Sequence, residues 1–298
     1  MLKKILFNQR GELRVLAKLV SFVLLFQIIG FTALKIGVPF FKDSAFHLSF
    51  MVNVVSAFAV VLALYIYSKY LDKSSLAKYG LHLGLKIWKN FILGIIISFG
   101  IIILVLIIQG SNIVLDFSPG TAFPTHKPWL VFLSQFLRYF TGSLFEELLA
   151  TSFLFILTFY SFKPSNRLYP YRYFFSICIS ALPFGLIHGA NENATFLGVF
   201  NLILFGAITT SNFAYTRNLG YAIAFHCMWN FGQNIIFGLP NSGKESQAWL
   251  IKTTVKSSDL ISGGIFGLEG SIITTVFFLL VLTSNIRILK KRLSKKHS

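Results

Sequence analysis

"FILGIIISFGIIILVLII", residues 91–108, carries no charged side chain along its whole length. Crossing a bilayer takes about 20 mostly apolar residues, because a helix advances ~1.5 Å per residue through a hydrocarbon layer of ~30 Å. A helix also satisfies its backbone N–H and C=O groups internally, which lipid cannot do. The stretch reads as a membrane helix, and the chain repeats the pattern on both sides of it. Spans are expected at Val15–Val38, Leu48–Tyr67, Phe91–Ile108, Trp129–Tyr160, Phe174–Ala190, Ala194–Tyr215, Gly220–Phe237 and Gly270–Leu289. The fourth is overlong, which places one of its ends in the interface. The fifth is short and contains Pro183, a candidate kink. The first apolar stretch is long and lacks a small-residue cleavage site, so it is expected to be retained rather than removed as a signal peptide.

Composition agrees. Of 298 residues only 12% are charged and 55% are hydrophobic, whereas a soluble domain carries roughly 25% charged residues. Too little charge is present to cover a soluble surface. The expected fold class is all-α: a polytopic membrane protein of about eight transmembrane helices with a buried polar site. No hydrophilic stretch is long enough to fold alone, so residues 1–298 read as a single membrane domain. Its motif-bearing core covers approximately 129–270 and a basic cytoplasmic tail covers approximately 290–298. The longest polar segment, about Gly238–Gly270, is rich in Gly and Ser and reads as a loop.

The net charge of +17 raises the question of nucleic acid. The basic residues are scattered between apolar stretches and form no solvated basic domain, so nucleic acid is not an expected partner; the bilayer is. Eight spans put both termini on one side. That side receives Lys3, Lys4, Arg10 and Arg14, the lysines at 69, 73, 78, 86 and 89, Lys163, Arg167, Arg172, Arg217 and the C-terminal cluster from Arg287 to Lys296. The other side receives Lys42, Lys127, Lys244, Lys252 and Lys256. The split is 19 to 5, which by the positive-inside rule places both termini in the cytoplasm of a multi-pass cell-membrane protein. Cys178 and Cys227 both fall in spans, so no disulfide framework is expected.

Within this apolar chain, "GSLFEELLATSF", residues 142–153, sets Glu146 and Glu147 side by side with no Lys or Arg within a turn. An ionised side chain in a bilayer centre costs ~2.5–3.5 kcal/mol even on insertion scales. The two carboxyls diverge by ~100° around a helix, so at most one points squarely at any one spot. The fifth span contains "FGLIH", Phe184 to His188, and the seventh contains "HCMWN", His226 to Asn230. His226 and Asn230 are spaced i, i+4 and share a helix face. Taken singly, each has a structural explanation. A lone His188 or His226 serves equally well as a helix–helix hydrogen bond, and Asn230 as interhelical glue. Cys227 and Phe184 read as packing, and Arg138 as a structural group that snorkels or pairs with a Glu. Together they form a set able to activate water: a carboxylate takes the proton, an imidazole orients it, and His plus Asn donate to an oxyanion.

"EELLAT", "FGLIH" and "HCMWN", in that order, resemble the three motifs of the CPBP family. These are the CAAX protease and bacteriocin-processing intramembrane endopeptidases, also called Abi, whose motifs are written EExxxR, FxxxH and HxxxN/D. The resemblance covers Phe145 to Gly270, including "GLPNSG" and "SGGIFGLEGS". It implies that Glu146 is the general base, that His188 helps hold the water, that His226 and Asn230 stabilise the oxyanion, and that Glu147 supports the site. The family has been described both as metalloproteases and as metal-independent glutamate proteases. Metal-independent hydrolysis is the expectation here, with a divalent metal such as zinc left open. The implied substrates are leader peptides, peptide pheromones or bacteriocin-like precursors rather than a prenylated protein.

One position departs from the pattern. Thr151 stands where the motif has Arg, one turn from Glu147. A hydroxyl can hydrogen-bond a carboxyl but cannot offset its charge, so Glu147 is expected to have another polar partner. Restoring Arg at 151 is expected to preserve or raise activity unless the packing has closed around the small threonine. The same departure keeps a second reading open: a catalytically weak scaffold that uses this fold to bind and regulate a membrane protein partner. A transporter is less favoured, since no pair of Gly/Pro-broken spans repeats in two halves.

Overall fold

The computed structural model describes residues 15–37, 45–82, 84–122 and 127–295, apart from the side chains of 45–50. The basic residues Lys3, Lys4, Arg10, Arg14, Lys42 and Lys296, and the expected end of the first span at Val38, lie outside the described residues.

The described chain is almost wholly helical. Helix α1 is Val15–Gly37. Helix α2, Ala45–Ile66, ends in a π turn, Tyr67–Leu71. Helix α3, Leu85–Gln109, holds the charge-free stretch and extends beyond it at its start. The overlong fourth span is α4, Pro128–Glu147, a π turn at Leu148–Leu154, and α5, Phe155–Phe159. Helix α6, Arg172–Ile187, contains Pro183 without ending there. Helix α7 is Phe196–Thr216 and α8 is Gly220–Phe231, followed by a π turn at Gly232–Ile236. The short α9, Asp259–Ser262, precedes the long α10, Ile272–Ser294. Two four-residue strands, β1 (Ile113–Asp116) and β2 (Lys252–Val255), pair antiparallel with Ile113 opposite Val255 and Asp116 opposite Lys252.

Seven of these helical segments are long and apolar enough to cross a membrane. The exception among the eight expected spans is the seventh. Helix α8 with its π turn reaches roughly 25 Å at ~1.5 Å per residue. Its side chains from Gly220 to Cys227 are all buried, as are Trp229 and Phe231. It is therefore an enclosed helix, packed against α3, α4 and α7. Gly94 lets α3 come close: a Cβ there would fall 2.5 Å from the Tyr221 carbonyl and 2.9 Å from the Phe225 nitrogen. Small residues at such contacts are what brings membrane helices together where no hydrophobic drive separates protein from lipid.

Helices α6, α7 and α10 pack in sequence on one side, and α1, α2 and α4 on the other. Two aromatic-rich cores result. One joins Phe22, Tyr67, Phe153, Phe155 and Phe213, with the rings of Phe22 and Phe153 stacked at 3.9 Å. The other joins Ile102, Phe205, Phe225, Trp229 and Phe278. The outward faces remain apolar, as at Leu16, Phe31, Ile96, Ile107, Leu186 and Leu280, and suit lipid rather than water.

The basic end carries a small polar knot. Asp72 Oδ2 accepts from Lys78 Nζ at 2.6 Å, Ser74 Oγ at 2.6 Å and Tyr79 OH at 2.9 Å. Burial pushes the Asp72 carboxyl up, but these hydrogen bonds and the Lys78 charge outweigh it and hold it below the ordinary value. At the opposite end, the segment expected as a plain loop folds back over the bundle. Leu239, Ala248, Phe266, Leu268 and Glu269 are all buried there.

Candidate active site

Both carboxyls sit at the last turn of α4, where the helix widens into its π turn. Glu147 is fully buried, while the Glu146 side chain is 38% exposed. The ~100° divergence between neighbours thus sends one carboxyl into an open cavity and the other into the protein. Glu147 Oε1 lies 2.9 Å from His226 Nδ1. Its other oxygen has no hydrogen-bond partner among the described residues. His226 Nε2 lies 3.8 Å from Glu146 Oε2, too far for a hydrogen bond and close enough for attraction. One imidazole is therefore flanked by two carboxyls, one behind it and one in front.

The π turn also disposes of Thr151. In a regular α-helix residue 151 would lie one turn from Glu147. A π turn closes i→i+5 bonds and shifts that register. The Thr151 hydroxyl instead lies 2.9 Å from Thr209 Oγ1 and 3.3 Å from Thr210 Oγ1 on α7. It is buried, and the packing has closed around it. The partner of Glu147 is His226, and Thr151 is packed against α7 with no hydrogen bond to Glu147.

His188 ends α6. There the helix tightens into a 3₁₀ turn, His188–Ala190, and the His188 backbone N–H turns to Gly185 O. The Phe184 carbonyl is left for the ring, with His188 Nδ1 at 2.6 Å. A carbonyl only accepts, so Nδ1 carries the proton and Nε2 of the neutral ring is free to accept. The rings of Phe184 and Phe205 lie edge-on to His226, with centroids at 5.6 and 5.1 Å. They hold its plane while Glu147 holds its Nδ1.

Glu146, His188, His226 and Asn230 line one cavity of about 770 Å³. Glu147 stands behind His226. Arg138 also faces the cavity, and among the described residues no carboxylate pairs with it. It donates to Tyr139 OH at 2.9 Å and lies over that ring. Tyr139 in turn donates to Asn234 Oδ1 at 2.6 Å. Arg138 is thus a packing and wall residue rather than a counter-ion for the Glu pair. Cys227 is buried and unpaired, as a packing residue would be.

The sequence reading assigned no role to Asn241 or Glu269. Glu269 is fully buried and its Oε1 receives Trp229 Nε1 at 3.0 Å, Gln233 Nε2 at 3.2 Å and Asn241 Nδ2 at 2.6 Å. Asn241 Nδ2 also reaches Asn230 Oδ1 at 3.1 Å. The signal was the one that singled out Glu146: a carboxyl with no nearby cation, here inside "GGIFGLEGS".

A zinc site needs at least three protein ligands converging at ~2 Å. Among the described residues no three His, Cys, Asp or Glu side chains are arranged to hold an ion. No step below passes through a metal.

Residues 128–232 match the family model described as type II CAAX prenyl endopeptidase Rce1-like. The matched segment starts at α4 and ends as α8 passes into its π turn, so it contains Glu146, Glu147, His188, His226 and Asn230. The resemblance carried by the three motifs is therefore found over this segment as a whole. At the level of the family the match supports an intramembrane endopeptidase, in what the apolar helices make a multi-pass membrane protein. No curated protein matches the chain.

Proposed function

We propose that this protein is an intramembrane endopeptidase that hydrolyses a peptide bond of a membrane-associated peptide or protein with a water activated by Glu146. The observation that carries the reading is the placement of His226, fixed from behind by Glu147 and facing Glu146 across a cavity that also exposes His188 and Asn230. Glu146 takes the proton of a water that also donates to His188 Nε2. The water oxygen attacks the peptide carbonyl, and the negative charge forms beside His226 Nε2 and the Asn230 amide. With both ring nitrogens protonated, His226 donates to Glu147 and to the oxyanion at once. Glu146 then delivers its proton to the leaving amine.

With α8 crossing as an enclosed helix alongside α3, Gly220 beside Ile87 and Gly232 beside Ile102, the positive-inside count supports cytoplasmic termini in the cell membrane. In that orientation the polar end of the cavity, formed by Asn191, Asn241, Ser242 and Lys244, lies on the side away from the basic loops. Exported leader peptides, pheromones and bacteriocin-like precursors fit this access better than the prenylated proteins named in the family's description.

The test is proteolysis of a library of membrane-associated peptides by the purified protein in lipid, with Glu146→Ala as control. Cleavage that Glu146→Ala abolishes is expected. Cleavage unaffected by Glu146→Ala overturns the assignment. The competing scaffold reading draws on Thr151, whose hydroxyl is spent on α7. It gains if no peptide is cut while a membrane protein partner is retained equally by the parent and Glu146→Ala.

A further inference from the structure

An indole nitrogen only donates, so Trp229 Nε1 at 3.0 Å makes Glu269 Oε1 an acceptor. Glu269 Oε1 therefore fixes the sense of every group around it. Gln233 is pinned independently, because its Oε1 accepts from the Leu268 backbone nitrogen at 2.9 Å and its amide nitrogen is left for Glu269. Asn241 has to present its NH2 to Glu269 at 2.6 Å, and the second hydrogen of that NH2 reaches Asn230 Oδ1 at 3.1 Å. The Asn230 oxygen is thereby engaged on the inner side. Its own NH2 has no acceptor among the described residues, and Asn230 is half-buried in the cavity wall. An Asn amide is otherwise free to sit either way round, and the wrong way would aim an oxygen at the developing oxyanion.

We infer that Glu269 and Asn241 are positioning residues that lock Asn230 with its NH2 toward the reacting carbonyl. Asn230 is the group that touches the oxyanion; the other two act through it. The segment that supplies them is itself tied to the bundle, with Asn201 Nδ2 donating to the carbonyls of Glu269 at 2.7 Å and Ser271 at 3.0 Å. The inference rests on the hydrolase reading above, and it predicts amide orientation whether or not a substrate is known.

The test is Asn241→Asp. Glu269 keeps the acceptor that Trp229 and Gln233 need, and the new carboxyl shares one proton with Glu269 while presenting an acceptor to residue 230, so Asn230 has to turn its NH2 away from the cavity to meet Asp at 241. Removal of one oxyanion donor costs ~10²–10³ in turnover. The expected result is a loss of ~100-fold in kcat with KM within ~2-fold. In an Asn230→Ala background the same exchange should cost under ~3-fold, because the amide it acts on is gone. A wild-type kcat in the folded variant overturns the inference, as does full additivity with Asn230→Ala. A second readout needs no substrate: hydrogen exchange of the Asn230 side-chain amide in lipid nanodiscs, assigned by its loss in Asn230→Ala. Rapid exchange in the parent and protection in Asn241→Asp are expected. Protection in the parent overturns the inference. A parent that cuts no peptide but shows this exchange pattern defeats the hydrolase reading and leaves the relay standing.

Discussion

Glu147→Gln separates charge from shape at the back of His226. The buried carboxyl meets the ring at 2.9 Å through one oxygen, and its other oxygen has no partner among the described residues. Glutamine keeps the length and an acceptor oxygen for Nδ1. Its NH2 takes the place of the unpartnered oxygen, so one unsatisfied buried polar atom replaces another and the fold should change by less than about 1 kcal/mol. What is lost is the charge. A hydrogen bond to a charged group contributes ~1.5–3 kcal/mol against ~0.5–1.5 for a neutral one. The difference of about 1–1.5 kcal/mol is lost from the doubly protonated His226 that the oxyanion requires. At ~1.4 kcal/mol per factor of ten this is a loss of roughly 5–10-fold in kcat. Glu147→Asp withdraws the carboxyl by one methylene, breaks the 2.9 Å contact and should cost more. The assay is kcat on a cleaved peptide in nanodiscs beside the melting temperature of each variant. Wild-type kcat in Glu147→Gln, or kcat and melting temperature falling together, would refute the claim that Glu147 acts electrostatically through His226.

Thr151→Arg should lower the melting temperature and yield of folded protein. The site is buried against Thr209 and Thr210, overpacking costs ~1–3 kcal/mol, and an unpaired cation in a span costs more; a variant as stable as the parent would refute this. Gly94→Ala should also destabilise, because the new methyl would sit 2.5 Å from the Tyr221 carbonyl and push α3 off the helix that carries His226; thermal unfolding in detergent measures it. For Asp72, the depressed carboxyl contributes stability fully above the ordinary carboxylate value of ~4 and loses it as pH falls through the lower folded value. The gap in melting temperature between the parent and Asp72→Asn should therefore be flat from neutral pH down to about 5 and shrink below about 4.

Most of the helical layout was legible because lipid imposes one simple rule, and α3 obeys it without a break. The fate of α8 was not. Hydropathy registers an apolar run, and nothing local says whether lipid or other helices surround it. The cavity residues were legible for the same reason that they are costly: Glu146, His188, His226 and Asn230 stand out against apolar neighbours. The place of Thr151 is not legible, because the π turn after Glu147 has no marker in "LLATSFL". Glu269 and Asn241 were hidden by distance. Their meaning depends on a segment more than ten residues from Asn230 folding back, which periodicity cannot register.

The enclosure of α8 also bears on how the molecule is made. As this helix leaves the translocation machinery it carries His226, Asn230, Gln233 and Asn234, each a penalty against entering lipid. Glu147 is already in place for the first. Gln233 waits for Leu268 and Glu269, and Asn234 for the carbonyls of Leu239 and Lys244. A nascent chain therefore cannot complete these contacts until the ribosome has passed residue 269 and α10 has followed to hold the returning segment. A chain halted near residue 250 should leave α8 poorly inserted and cleave nothing, which glycosylation mapping of arrested chains would record.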